Sequence, residues 1–500
     1  MKRSGRLPVI LFLVLSFILS PTCLSTADPI RMPAGSQYYS NKTGVLAFRG
    51  NAFRQNASVG LVRDPSSLQI LWTAETGAPP ENGTYTGSGT GAQPLIARWS
   101  FQVREASVML GDKSRKESLK EVILAGADGS LHFLDLSDGT RTREPLSASA
   151  AFTGTPALYP SGLPFMAAPT QTGLRQYNMY SLEELRSVTG IRGESTPTDL
   201  AAAGPATAPL IDRTSDTAVT AYGDGTLCLI SLNTGLDWQN AQFSTDPSAA
   251  ILKPADAGGG ETPAAVCAPV SVYERYAFFG DMDGILRCVD TDTLTAVWTA
   301  DTGDSVTAAA ALDQPDSGEL NLYAGNVLNL RNEGAAQIRR YNALSGDETW
   351  LVSIGADKDP DGGSFSGCAA SPVIGRESLN DLVFFTVTGL NKKGRGLLDV
   401  PDGTQAAVVA LEKESGTLCW ARALPDRSVS SPVAVYDEGG NGWIIQCAQD
   451  GTILLLDGLT GDETASLTID GRIGSSPAVY DRILVVSTAG GTVFGIRIGQ

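Results

Sequence analysis

The sequence predicts an all-β fold, an eight-bladed β-propeller of four-stranded antiparallel blades whose last blade is closed by an N-terminal strand. Three observations support this prediction. An Asp-Gly turn, an alternating strand, a Thr-Gly turn and often a tryptophan recur eight times at spacings of tens of residues. Small residues, usually ending in proline, precede each copy. The eighth copy stops after its third strand, and a matching fourth strand occurs near the start of the chain.

The repeat is clearest at residues 223–238 and 449–461, where it predicts two consecutive hairpins with tight turns. Aligned on the end of the third strand, the copies place these residues at one equivalent position: Asp135, Asn178, Ser231, Asp290, Asn342, Glu412, Asp457 and Arg497. The seventh copy predicts four strands, at 430–435, 442–448, 452–457 and 463–468. The second copy is the least regular, because Leu182 stands where other copies have glycine.

The small-residue segments are predicted to form the innermost strands, since large side chains would collide where the sheets converge on the axis. They are Gln93-Pro94, Thr155-Pro156, Ala208-Pro209, Ala268-Pro269, Ala308-Ala309-Ala310, Ser371-Pro372, Ser431-Pro432 and Ser476-Pro477.

Ring closure follows from residues 72–77, which almost repeat the fourth strand and exit turn at 298–303. The N-terminal copy should therefore complete the last blade and leave no unpaired edge. A tryptophan in the fourth strand can pack over the neighbouring blade and bury about 150–250 Å². The tryptophans predicted there are Trp72, Trp238, Trp298, Trp350 and Trp420.

The first 27 residues are predicted to be a signal peptide. Lys2, Arg3 and Arg6 precede an apolar run at 7–19, and small residues precede a cleavage site. The run is too short for a comfortable membrane span, so no transmembrane span is expected in the mature chain. The sequence therefore predicts an extracytoplasmic protein, whether secreted, periplasmic or on the cell surface.

The remaining chain divides into an N-terminal strap or linker at 28–67 and the propeller at 68–500. A lipid anchor on Cys23 is the weaker alternative to a soluble product, because residues 20–22 match the usual lipidation signal poorly.

The net charge limits the classes of partner that the sequence predicts. The net charge of −17 argues against nucleic-acid binding, which needs a basic surface, and is compatible with cationic partners.

An even number of cysteines in an exported chain permits disulfides, but most lie in apolar strand-like runs that favour buried thiols. Those left after signal removal are Cys228, Cys267, Cys288, Cys368, Cys419 and Cys447.

Residues 341–350 and 411–420 resemble the tryptophan-docking repeat of the pyrroloquinoline-quinone-like (PQQ-like) β-propellers, and the resemblance extends over about residues 68–500. That family includes quinone-dependent alcohol dehydrogenases, outer-membrane-assembly lipoproteins and many other exported proteins. The resemblance implies that a dehydrogenase would carry a disulfide between adjacent cysteines against the quinone, with Ca²⁺ nearby. No adjacent cysteines occur here, so we expect the non-catalytic exported branch, with no enzyme activity and no cofactor.

The single histidine, His132, excludes multi-histidine metal sites. Other copies place Cys228 and Arg287 in its slot, which favours a structural role.

Asp357, Asp359 and Asp361 resemble the start of a calcium-binding EF-hand loop. The twelfth position, which should be a bidentate acid, is Cys368, so this is a weak Ca²⁺ candidate and a solvated acidic turn is the default expectation.

Most long insertions are predicted on the face where the second-to-third strand loops and the blade-to-blade connections emerge. They are residues 78–92, 191–205, 239–266, 326–335, 355–367 and 389–405. The opposite face is predicted to carry tight turns, except at 111–120. Binding-face candidates on the loop-rich face are Tyr85, Asn391, Lys392, Lys393 and Arg395.

The sequence thus predicts an exported, monomeric, non-catalytic scaffold that binds a protein or a cell-surface polymer through its loop-rich face. Trimming residues 389–405 is expected to weaken binding and leave stability nearly unchanged. Two alternatives are an envelope or outer-membrane assembly scaffold lipoprotein and, disfavoured by the missing cysteine pair, a PQQ-dependent dehydrogenase.

Overall fold

The computed structural model describes residues 39–77, 92–148, 150–185, 204–252, 264–315, 318–330, 334–359 and 366–499. These residues form a ring of eight small antiparallel sheets with four-stranded blades, so the predicted β-propeller is confirmed. The α-helices are α1 (Phe101–Ala106) and α2 (Lys392–Leu398). No helix within the described ranges is long and apolar enough to cross a membrane.

The strands follow the chain around the ring. The N-terminal segment contains β1 (Gly44–Val45), β2 (Ser58–Val59) and β3 (Leu68–Glu75). Blades 1 to 3 contain β4 (Leu95–Ala97), β5 (Glu121–Ala125), β6 (Leu131–Asp135), β7 (Ala157–Leu158), β8 (Phe165–Thr170), β9 (Gly173–Asn178), β10 (Leu210–Asp212), β11 (Thr217–Ala221), β12 (Leu227–Ser231), β13 (Gly235–Asp237), β14 (Gln242–Ser244) and β15 (Ser248–Leu252).

Blades 4 to 6 contain β16 (Ser271–Tyr273), β17 (Tyr276–Gly280), β18 (Ile285–Asp290), β19 (Thr295–Asp301), β20 (Ala311–Asp313), β21 (Asn321–Gly325), β22 (Val327–Leu328), β23 (Ala335–Asn342), β24 (Glu348–Gly355), β25 (Ser366–Gly367), β26 (Val373–Ile374), β27 (Leu382–Thr388), β28 (Ala406–Glu412) and β29 (Leu418–Leu424). Blades 7 and 8 contain β30 (Val433–Tyr436), β31 (Gly442–Cys447), β32 (Thr452–Asp457), β33 (Glu463–Thr468), β34 (Ala478–Tyr480), β35 (Ile483–Ser487) and β36 (Thr492–Ile498).

Blade 7 shows the repeat in its regular form, with the strand order β30-β31-β32-β33 from the axis to the rim. Its last two strands have the predicted bounds. In the described part of the chain, blade 1 has three strands of its own, with isolated bridges at its rim, and blade 2 is irregular as expected. Within the described residues it has three strands, and its rim is represented by a single bridge between Tyr177 and Glu184.

The ring closes as predicted. Strand β3 pairs antiparallel with β36, from Leu68 opposite Ile498 to Glu75 opposite Thr492. The first part of the propeller domain is therefore the rim strand of the last blade.

Hydroxyl groups on the innermost segments connect neighbouring blades. The backbone N–H of Ser371 donates to Ser431 Oγ at 3.0 Å, and the N–H of Ser431 donates to Ser476 Oγ at 3.0 Å. Gln93 N–H donates to Thr155 Oγ1 in the same way, at 2.8 Å. Small polar side chains near the axis thus give close packing and also satisfy backbone donors of the preceding blade.

Four of the predicted tryptophans dock on the next blade. Each indole N–H donates to a turn carbonyl there: Trp72 to Leu136 at 2.8 Å, Trp298 to Ala343 at 2.9 Å, Trp350 to Lys413 at 2.9 Å and Trp420 to Gly458 at 3.0 Å. Each ring lies against a glycine of that turn, respectively Gly139, Gly346, Gly416 and Gly461. The glycine therefore leaves space for the ring of the preceding blade.

A substitution at Gly416 tests this docking. A Cβ atom there would lie 2.8 Å from the Trp350 ring, and the backbone φ is +71°. Gly416→Ala should therefore cost about 1–3 kcal/mol for the clash in addition to about 1–2 kcal/mol for the left-handed backbone. Gly403→Ala is the matched control, because its φ is +86° but no atom lies within 4 Å of its Cβ position. Equal losses of stability in chemical denaturation would contradict the docking explanation.

The fifth tryptophan departs from the prediction. Trp238 lies in a hairpin, β13–β14, inserted between the third and fourth strands of blade 3, and its side chain is 55% exposed. The fourth-strand position belongs instead to β15, which pairs with β12. Placing Trp238 in the fourth strand was therefore wrong, because the residues after β12 keep the repeat spacing while leaving the sheet.

Residues 39–64 lie across the axial opening, and we call them the axial plug. They bond to the innermost strand of every blade, beginning with the β1–β4 pairing in blade 1. Four backbone N–H groups donate to plug carbonyls at 2.9 Å: Leu158 to Leu46, Val272 to Ala52, Leu312 to Phe53 and Val479 to Ala57. Because the Asp481 N–H also donates to Val59 O, the plug lies at the face of the first-to-second strand turns.

Two buried arginines fix the plug. The Arg49 guanidinium donates to the carbonyls of Pro432 (2.8 Å) and Pro372 (3.0 Å), and Arg54 donates to Val270 O (2.9 Å). Arg54 also reaches blade 3, where it donates to Ala208 O at 3.1 Å. Burial lowers the pKa of Arg49 to about 9 and that of Arg54 to about 10, so both remain protonated at neutral pH. Three of these carbonyls belong to the small-residue segments and that of Val270 directly follows one, so the arginines tie four blades together at the axis.

Candidate binding surface

Three of the predicted insertions meet on the loop-rich face of blades 5 and 6. We call residues 326–330, 355–359, 366–367 and 389–405 the loop cluster. Strand β22 pairs with β25, and β25 pairs with the end of β27 through Gly367 and Thr388. Of the other three predicted insertions, 78–92 and 191–205 lie almost entirely outside the described residues, as does Tyr85. The prediction for 239–266 was wrong in its described part, because residues 242–244 form strand β14 of the hairpin and residues 248–252 form β15, the fourth strand of blade 3.

A buried carboxylate anchors the first insertion. Asp304, 2% exposed, accepts backbone N–H groups from Leu330 at 2.8 Å and Asn329 at 3.1 Å. The Lys358 ammonium donates to the carbonyl of Asn329 and so joins the second insertion to the first.

Asn391 joins the third insertion to the others. Its side-chain oxygen caps α2 by accepting the N–H groups of Lys393 (3.0 Å) and Gly394 (3.1 Å). Its amide donates to Asp357 Oδ1 at 3.0 Å and to Gly334 O at 3.2 Å. The predicted binding residue Asn391 is therefore a structural junction within the surface.

Helix α2 also belongs to the hydrophobic core of these blades. Leu390 and Leu398, at either end of the helix, are 3% and 4% exposed. Trimming residues 389–405 would remove both side chains. The structure thus corrects the expectation that such a trim leaves stability nearly unchanged, and point substitutions are the better probes.

The exposed side chains of the loop cluster are basic and apolar. Two of the predicted binding residues, Lys392 and Lys393, are exposed to solvent. Another, Arg395, is half-buried, and its guanidinium donates to the carbonyl of Leu390. Leu330 and Leu397 are each 54% exposed. Sequence reasoning missed both leucines, because an isolated leucine in a loop gives no sign of exposure until its neighbours are known.

The acidic residues at 357–361 make internal contacts. Asp359, 8% exposed, forms an ion pair with Arg427 from the connection to blade 7, and Asp357 accepts the Asn391 amide. Asp361 lies outside the described residues. Among the residues that the structure describes, no three His, Cys, Asp or Glu side chains form a group able to hold a metal ion. The Ca²⁺ site stays a prediction.

The quinone and Ca²⁺ implied by the family resemblance do not fit the described residues. All six cysteines in the described ranges are free thiols, and burial raises the pKa of Cys228, Cys368 and Cys447 to about 12. The axial plug fills one end of the axis. We therefore derive no quinone chemistry for this chain.

His132 has a structural environment. Its Nε2 lies 3.0 Å from Asp128 Oδ1, and its side chain is 3% exposed. In blade 4, Arg287 pairs similarly with Asp281 of the turn before it. In both blades a side chain of the third strand thus contacts an acid in the preceding turn.

The tryptophan docking, the closing strand and the axial small-residue segments are features of the repeat that resembles the PQQ-like β-propellers, and a family match over the C-terminal part of the chain supports that resemblance. A family model described as outer membrane protein assembly factor BamB matches residues 404–499. No curated protein sequence matches this chain.

Similar solved structures include quinohemoprotein alcohol dehydrogenase ADHIIG from Pseudomonas putida HK5. It has a TM-score of 0.57 and 11% identity, covering 94% of this chain and 83% of that one. At this identity the likeness shows the fold alone. The computationally designed Ika8 protein has a TM-score of 0.49 and 16% identity, covering 86% of this chain and 100% of its own. BamB from Moraxella catarrhalis has a TM-score of 0.44 and 15% identity, covering 86% and 97%.

Proposed function

We propose that the chain is an exported, non-catalytic propeller scaffold that binds another protein or a cell-surface polymer through the loop cluster. The supporting observation is that three insertions from adjacent blades are locked together by strand pairing and by Asn391. Loops that are held rigidly on a scaffold commonly carry binding function. Export is inferred from the N-terminal signal pattern.

The surface chemistry indicates the complementary partner. Lys358, Lys392 and Lys393 are exposed beside Leu330 and Leu397, in a chain whose net charge is −17. A local basic surface allows an acidic partner to approach an otherwise repulsive molecule. The leucines would then supply apolar contact, so the partner should present acidic and apolar groups together.

An envelope-assembly scaffold is the second candidate, and the BamB family match at residues 404–499 favours it. If the chain has this function, Cys23 should be lipidated and the protein should co-purify with membrane-protein assembly machinery. Recovery of a soluble product cleaved after Ala27 would count heavily against it. The dehydrogenase alternative requires binding of pyrroloquinoline quinone with Ca²⁺, which a titration with both would test.

Charge reversal tests the loop cluster. Crosslinking in the native envelope followed by pull-down should recover a specific partner with the wild-type chain. Lys392→Glu/Lys393→Glu should lower that recovery about tenfold or more, because both charges oppose the expected partner. Lys42→Glu/Arg115→Glu, which reverses two exposed charges on the opposite face, is the control. Equal recovery with the loop-cluster variant and the wild type would remove this surface from the proposal.

A further inference from the structure

The opposite face carries a second elaborated region, around blade 2. Residues 98–120, which include α1, lie between the first two strands of blade 1, and the β13–β14 hairpin rises from blade 3. Between them lies the outer turn of blade 2, residues 178–183. Together they enclose a groove of about 660 Å³, which we call the outer groove. Its lining includes Val108, Tyr180, Glu183, Leu236, Asp237 and Phe243.

The hairpin is an addition to the blade and not a part of it. Strands β13 and β14 pair with each other and with no other described strand. A lone two-stranded hairpin is marginally stable in water. Here Phe243, 6% exposed, anchors it by packing its ring 5.9 Å from that of Phe165. The hairpin is thus held over blade 2 by its own core residue.

Large apolar side chains are exposed in and next to the outer groove. Val108 lines the groove and is 63% exposed, and Trp238, which follows the lining residue Asp237 on the hairpin, is 55% exposed. The four other tryptophans of the repeat dock on the next blade, and Trp238 does not share that structural role. Exposed apolar side chains gathered at one place mark interaction sites, and tryptophan is enriched among residues that dominate binding energy.

The charge of the outer groove is acidic. Among the described residues that line it, the charged ones are Glu183 and Asp237. Asn240 Nδ2 donates to Asp237 Oδ2 at 2.7 Å, and such hydrogen bonds lower the pKa of Asp237. The lysines of the neighbouring segment, Lys113 and Lys116, are paired with Asp135 at 2.7 and 2.6 Å. Among the described residues, the hydrogen-bond donors to these two carboxylates are the neutral groups of Ser181, Gln239 and Asn240, so the negative charges can attract a cation from outside.

We propose that the outer groove binds an extended segment of a partner protein that combines basic and large apolar side chains. The carboxylates of Glu183 and Asp237 receive the basic groups, and the apolar walls with Trp238 receive the others. This surface is opposite in chemistry and position to the loop cluster. The two surfaces would let one scaffold hold two different partners at once, which goes beyond the proposed function.

Fluorescence anisotropy with a labelled eleven-residue peptide, in which lysine alternates with leucine and phenylalanine, tests the proposal. The full-length mature protein should bind it saturably, and a peptide with glutamate in place of lysine should not bind. Glu183→Gln/Asp237→Asn and, separately, Trp238→Ala/Val108→Ser should each weaken binding about tenfold or more. The matched control is Asp283→Asn/Asp450→Asn, which neutralises two exposed carboxylates on the loop-rich face outside the loop cluster. Unchanged melting temperatures would show that the variants fold.

Four outcomes would overturn the proposal. The lysine peptide could fail to bind, or the control could weaken it as much as the groove variants do, which would show a general attraction to an acidic protein. Sedimentation could show concentration-dependent self-association that Trp238→Ala abolishes, which would assign the groove to a second copy of this chain. Binding of neutral glycans, lost in the same variant, would assign it to a polysaccharide. None of these results depends on the loop cluster, so the two proposals fail separately.

Discussion

A chain shortened to begin at residue 78 is expected to lose the closed ring, whereas one that begins at residue 65 is expected to keep it. The longer deletion removes β3, which pairs with β36 along its whole length and carries Trp72 onto blade 1. Without it, the seven residues of β36 become an open sheet edge, and such edges pair with other chains. The expected result is aggregation, or a large fall in melting temperature.

The chain that begins at residue 65 separates the plug from the closing strand. It keeps β3 but loses the buried plug residues Val45, Leu46 and Phe53, each worth about 1.5–3 kcal/mol of burial. It also loses the Arg49 and Arg54 bonds to four blades. We therefore expect a monomer that is less stable by several such increments. Size-exclusion chromatography and thermal melting of the two chains would check this, and equal behaviour would show that β3 does not close the ring.

The blades could be predicted because each repeats the same short-range sequence pattern. Turn residues, alternating strands and small inner residues act within a few positions of one another, so copies can be aligned without knowledge of the fold. Third strands ending at Asp135, Asp290 and Asp457 illustrate this, since each was placed from the alignment alone. Closure was also predictable, because residues 72–77 resemble another copy.

The axial plug could not be predicted because it follows no repeat. Its bonds join residues hundreds of positions apart, such as Arg49 to Pro432. Phe48, Arg49 and Arg54 are visible in the sequence as a polar-aromatic cluster. The sequence does not show the ring of backbone carbonyls that accept hydrogen bonds from the two arginines. A buried arginine is recognisable only when its acceptors are in place.

The candidate binding surfaces could be predicted only in part, again because many of their contacts do not follow the repeat. Loop length identified the loop-rich face, and Lys392 and Lys393 are exposed there. The roles of Asn391 and Arg395 depend on contacts with other insertions or with their own loop, which spacing does not reveal. The outer groove was missed because the β13–β14 hairpin preserves the repeat spacing through Trp238, so that an inserted element resembles an ordinary blade.

The strongest contrast within the repeat is expected between Trp420→Ala and Trp238→Ala. Both tryptophans follow a third strand and a glycine-containing segment at a similar distance. Trp420 is 9% exposed, its ring centroid lies 5.7 Å from that of Phe384, and its indole donates to Gly458 O at 3.0 Å. Removing it should cost about 3–5 kcal/mol, since a cavity forms between blades 6 and 7.

Trp238→Ala should change stability by no more than about 0.5 kcal/mol, as for an ordinary surface substitution, because its ring is 55% exposed on the inserted hairpin. The denaturation midpoints of the two variants, measured under the same conditions, would check the difference. A comparable loss in both would mean that Trp238 also docks against a blade, and it would then be unavailable to the outer groove. A small loss at Trp238 together with a large loss at Trp420 would show that one sequence motif serves two purposes, depending on whether its strand stays in the sheet.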